Sequence, residues 1–130
     1  MLSGRNRMRS SADFSTTVRS GARSGRRNLV LYAAPAPVQR PTVFGFIVSK
    51  AVGNAVTRNL VKRRLREIAA LSLKDHPEGL SIVVRALPAA ASADFAGLGS
   101  DYRKALSAAV ARLRPAKPVD AASTQKGSEE

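Results

Sequence analysis

Apolar positions change period along the chain, and each change marks an element. Phe14 and Val18 recur at i, i+4 behind Ser10 and Ser11, either of which can cap a helix, so a short helix is predicted over roughly 12–19. Gly21 and Gly25 break it. Residues 28–34, NLVLYAA, read as a strand, and Pro35, Pro37 and Pro41 make the next stretch a loop. Residues 43–50, VFGFIVSK, are the strongest strand candidate, and apolar residues at both parities suggest a central strand. Gly53-Asn54 supplies a turn and an N-cap for a helix running to about Ser72.

That helix sorts cleanly at about 100° per residue. Val61, Leu65 and Ile68 fall on one stripe, with Leu60 and Leu71 at its margin. Asn59, Lys62, Arg63 and Arg66 share the opposite sector, while Arg58 and Arg64 flank the apolar stripe. A loop over 74–79 leads to a strand over 80–87, LSIVVRAL, stopped by Pro88. Residues 89–100 are rich in Ala, Gly and Ser and ambiguous. Tyr102, Leu106, Ala109, Val110 and Leu113 then form the stripe of a helix over 101–113. The basic segment 21–27 has room for an extra edge strand. The pattern predicts an α+β protein: a small two-layer α/β sandwich with helices packed on a small mixed sheet. It forms one domain over 1–114, and 115–130, without periodicity, is expected to be a disordered tail.

Charge changes the picture next. The formal net charge is +13 over 130 residues. Solubility needs only a single-digit charge. The excess favours polyanions, with nucleic acid the leading partner and an anionic membrane surface second. Five cations fall within nine residues, Arg58 to Arg66, and that face repels itself unless a partner is bound. Asn59 is the odd member, an amide able to address a base edge or a ribose hydroxyl. The plainer reading is a solvated charged face.

The chemistry of catalysis is thin. Cysteine is absent, which removes disulfides and thiolate metal sites. The single histidine, His76, sits beside Pro77 in a loop and is expected to be a bystander. The nine carboxylates are scattered, with no dyad spacing, and there is no phosphate loop. No catalytic residue and no metal ligand is assigned. The basic N-terminus lacks the apolar stretch of a signal peptide and no run is long enough to span a bilayer, so a cytoplasmic protein with no membrane partner is expected.

Gly53-Asn54-Ala55-Val56, Arg58-Asn59, Lys62-Arg63 and Arg66 together resemble the signature segment of the bacterial ribonuclease P protein subunit. Arg5-Asn6-Arg7, Asp13-Phe14, the runs 29–32 and 44–50, and Ile82 to Arg85 agree in order, so the resemblance covers about residues 5–113. It departs at Leu60, where the family commonly has a third signature residue, arginine, and at Val18, where relatives often carry an aromatic. The resemblance implies a protein that assists a catalytic RNA in removing the 5′ leader of precursor tRNA, with catalytic Mg2+ held by the RNA and none by the protein. It implies that Arg58, Asn59, Lys62, Arg63 and Arg66 face ribonuclease P RNA; Arg64 is a further candidate there to compensate for Leu60, though the cationic work is expected to fall to Lys62, Arg63 and Arg66. Phe14, Val18, Val30 and Tyr32 would line a leader-binding cleft near Ser49 and Lys50, and Arg5, Arg7 and Arg9 would add basic contacts. For Phe14, docking on the core and stacking on a base remain alternatives. A monomer in a 1:1 complex with the RNA and a left-handed β-α-β crossover, against the usual rule, are also implied. The competing functions are a structural RNA-binding protein, such as a ribosomal protein, and a self-sufficient nuclease.

Overall fold

The computed structural model describes residues 2–113, so the expected tail over 115–130 lies outside the described residues. Ser10 caps α1 (Ser11–Ser20) by accepting the Asp13 amide at 3.1 Å. The basic segment that follows does hold an edge strand, β1 (Ala22–Gly25), and then come β2 (Leu29–Pro35) and β3 (Val43–Ile47). Gly53, at φ +157°, turns the chain into α2 (Ala55–Ser72), where a Cβ would come within 3.0 Å of Thr57. Asn54 caps α2 by accepting the Thr57 amide at 2.9 Å. β4 (Leu80–Ala86) and α3 (Phe95–Leu113) complete the fold.

The strands form a mixed sheet in the order β1-β2-β4-β3. β2 runs antiparallel to both β1 and β4, whereas β3 runs parallel to β4 through the α2 crossover. Register divides the side chains into two faces. Leu29, Leu31, Ala33, Phe44, Ile82 and Val84 point to one face and meet Val61, Leu65 and Ile68 of α2 and Leu98, Tyr102 and Leu106 of α3. Val30, Tyr32, Val43 and Val83 point to the other, where Phe14 and Val18 of α1 pack with Met8. Tyr102 lies at the heart of the larger core. Its phenol oxygen is 2.8 Å from the Ser72 hydroxyl, which in turn donates to Ala69 O at 2.7 Å. Burial pushes the Tyr102 phenol up, and the Ser72 hydrogen bond only partly opposes this.

Two expectations are corrected. Residues 43–50 give a shorter strand, and it lies at the sheet edge, not the centre. Its apolar character at both parities reflects cover on both faces. The exposed edge is shielded as well, for the Met8 amide donates to Phe44 O at 2.9 Å and Asn6 Nδ2 to Thr42 O at 2.8 Å. The last helix begins at Phe95, well before Asp101. Asp94 starts it, taking the Gly97 amide on Oδ1 at 2.7 Å and the Leu98 amide on its carbonyl at 3.0 Å. Gly97 and Gly99 hid this first turn because they weaken helix propensity without preventing helix.

Leu65 is fully buried and Arg63 exposed on the same helix. Leu65→Ala is expected to cost ~2–5 kcal/mol in urea or thermal unfolding, and Arg63→Ala to leave stability nearly unchanged. Equal losses would mean the two faces of α2 are assigned the wrong way round.

Candidate nucleic-acid interface

α2 is held to the core by Val61, Leu65, Ile68 and Ala69, and this fixes which residues turn outward. Asn59 and Arg63 are exposed, while Lys62, Arg66, Arg58 and Arg64 are half-buried, their stems lying along the helix flanks. Arg64 is engaged within the protein, as Nη1 donates to Ala93 O at 3.0 Å and ties α2 to the segment before α3. Arg58 Nε is shut from solvent without a protein acceptor. Leu60 is half-buried, and Leu71, placed by periodicity at the margin of the apolar stripe, is 63% exposed.

The N-terminal arginines lie along the β3 edge of the sheet. Asn6 and Met8 point inward at the β3 edge, so Arg5, Arg7 and Arg9 alternate outward, all exposed. They line a hollow of about 300 Å³ together with Arg40. Sequence reasoning passed over Arg40, which lies in a proline-rich loop with no periodic signal. It approaches Asp13 at 4.0 Å, the one ion pair among the described residues.

The opposite face of the sheet brings Phe14, Val18, Val30 and Tyr32 into one apolar cluster. Val30 and Tyr32 are almost wholly covered, at 6% and 7% exposure. Phe14 lies so close over Gly45 that a Cβ there would fall 2.5 Å from its ring. Phe14 therefore docks α1 on the sheet, and its remaining half-exposed surface borders the open part of the face. Ser49 and Lys50 are exposed in the turn beyond β3, their carbonyls accepting the Val52 and Gly53 amides. Between them and the cluster runs a row that sequence reasoning missed: Ile47, Arg85, Val30 and Gly25 are successive cross-strand partners. Arg85 is exposed on this face. Its signal was the single cation inside the apolar run 80–87.

A larger hollow, about 650 Å³, lies between α2 and α3 and is lined by Leu71, His76, Tyr102, Leu106 and Val110 among others. It opens on the α2–α3 side of the sheet, the face opposite the row, and nothing in the structure shows what covers it. Among the described residues no three His, Cys, Asp or Glu side chains gather as a metal site, and no helix is long and apolar enough to cross a membrane.

Among the described residues one cation alone meets a carboxylate, a charge balance that suits a polyanion-binding α+β protein. The family model described as Ribonuclease P matches residues 2–110. The ribonuclease P protein component of Pseudarthrobacter chlorophenolicus is 59% identical, with 98% of each chain covered. That of Streptomyces bikiniensis is 48% identical over 82% of this chain and 93% of its own. Among solved structures, the Staphylococcus aureus RNase P protein superposes with a TM-score of 0.71 at 27% identity, covering 83% of this chain and 96% of that one. The chain belongs to the ribonuclease P protein family, the protein components of the endoribonuclease that removes 5′ leaders in tRNA maturation. That membership implies an RNA partner and sets aside the ribosomal-protein reading.

Gly45→Ala is expected to lift the Phe14 ring and loosen α1, at a cost of ~1–3 kcal/mol. Denaturant unfolding with hydrogen exchange of the α1 amides measures this. Unchanged exchange in α1 would show that Phe14 does not hold the helix down.

Proposed function

We propose that the protein binds ribonuclease P RNA through the outward face of α2 and the N-terminal arginines, and holds the single-stranded leader of precursor tRNA across the open sheet face. The observation that carries this reading is the imbalance of charge. A chain of +13 has one ion pair among its described residues, a long one between half-exposed side chains. Such a pair contributes little, so the cations stand ready for phosphates.

Asn59, Lys62, Arg63 and Arg66 supply the RNA contacts of α2, with Arg58 at the flank. Arg64 adds less, since one of its nitrogens already serves Ala93. Leu60 holds no charge and gives part of its surface to the core side, which leaves the cationic work to its neighbours. Phe14, Val18, Val30 and Tyr32 form the floor and wall of the leader cleft, Arg85 offers a cation on that floor, and Ser49 and Lys50 sit at its end. The chain acts in the cytoplasm, as one copy per catalytic RNA, and the catalytic magnesium is held by that RNA. By placing cations between two RNAs it offsets their mutual repulsion, which lowers the magnesium the complex needs and tightens its hold on leader-bearing substrate.

Adding the protein to its cognate RNA at low magnesium is expected to restore precursor cleavage. Binding of the protein to that RNA should weaken with salt at a log–log slope of roughly −4, for five phosphate contacts. No gain in cleavage rate or substrate affinity, with the protein bound, would overturn the reading.

A further inference from the structure

The sheet edge opposite α2 carries a second set of unneutralised cations. β1 is the far edge strand, and the β1–β2 turn places Arg26 and Arg27 beyond it. The Arg26 amide donates to Leu29 O at 2.8 Å, which closes the turn. α3 packs beneath, tied to both β1 and the turn. Asp101 Oδ2 accepts the Asn28 backbone amide and Nδ2, each at 3.0 Å, and the Arg112 guanidinium donates to Arg23 O. Between these ties Arg26, Arg103, Lys104, Ser107, Ala108 and Ala111 line an open hollow of about 480 Å³. Arg26, Arg103 and Lys104 are exposed and, among the described residues, have no carboxylate partner. Asp101, the nearest acid along α3, has its Oδ2 occupied by Asn28.

The position of this hollow says what it can hold. The row on the α1 face runs Ile47, Arg85, Val30, Gly25; Val30 is covered, Arg85 and Gly25 are exposed, and Gly25 has no side chain to block the way out. The next residue is Arg26. A strand lying along the row therefore leaves the sheet at the β1–β2 turn, and by rounding the β1 edge past Arg26 it reaches the hollow on the α3 side. β3, to which α2 is joined, lies three inter-strand gaps away, about 14 Å across the sheet. The floor of Ser107, Ala108 and Ala111 offers no aromatic ring for stacking, so contact is with phosphates and indifferent to sequence.

We infer that the hollow formed by Arg26, Arg103 and Lys104 is a phosphate-binding site for single-stranded RNA, occupied by the part of the precursor leader that extends past the sheet. This rests on the leader-cleft reading above and extends it by one site. It makes grip on substrate depend on leader length, since a short leader ends over the row and a long one reaches the turn.

The test uses the holoenzyme reconstituted from the full chain and its cognate RNA, with precursor tRNAs of short and long leader. The Arg26→Ala, Arg103→Ala, Lys104→Ala triple variant is expected to abolish the extra affinity of the long-leader substrate and leave short-leader affinity unchanged. The salt slope for the long-leader substrate should become shallower by about 2, for three single-strand phosphate contacts. The pair Arg103→Gln, Lys104→Gln repeats the test without touching the turn, should the triple variant fold poorly. Equal weakening for both leaders, weaker assembly with the catalytic RNA, or no change at all would each overturn the inference. Arg85→Ala separates this from failure of the cleft itself. If it too is without effect and wild type ignores the leader, the cleft reading falls; if Arg85→Ala weakens leader binding while the triple variant does not, only the second site falls.

Discussion

The structure depends on a sheet whose middle is buried on both faces. Val83 and Val84 are neighbours on β4, point in opposite directions, and are both fully buried. One meets α1 and the other meets α2 and α3. A chain this basic opposes its own folding by charge repulsion, and few internal ion pairs relieve it. Apolar burial on two sides of one thin sheet supplies the opposing term. It also fixes where the cations go: each helix gives one face to the sheet and has only the other for charge.

Much of this was legible in the sequence, and the failures have physical causes. The stripe of α2 was readable because Val61, Leu65 and Ile68 share a single period with no competing signal, and the caps at Ser10 and Asn54 are local hydrogen bonds that residue type announces. The edge position of β3 was not readable. Periodicity reports whether a residue is covered but not by what, and Phe44 and Gly45 are covered by helices and by residues 6–8, where a central strand would have a second neighbour. The start of α3 was hidden because packing of Leu98 and capping by Asp94 outweigh the poor propensity of two glycines.

The site divides along the same line. Which cations of α2 face outward followed from the period of one helix. Arg40 and Arg85 did not stand out, since what matters in each is a neighbour distant in the chain: the N-terminal arginines for one, and Ile47 and Val30 for the other. Arg64 shows the converse. Its sequence marks it as one more ridge cation, yet its hydrogen bond to Ala93 makes it a strut between α2 and the approach to α3.

That strut bears on Leu60. Were the missing arginine replaced by Arg64, the guanidinium would have to leave Ala93 and expose a carbonyl that it now satisfies, a loss on the order of 1 kcal/mol or more. Staying in place costs nothing. The balance favours an α2 surface with one cation fewer than the signature suggests, in which Lys62, Arg63 and Arg66 bear the charge beside the exposed Asn59 amide. A helix with fewer fixed cations leans more on the rest of the molecule. Here the remaining arginines occur where the scaffold can hold them apart, on the N-terminal segment at one sheet edge and on the β1–β2 turn and α3 at the other.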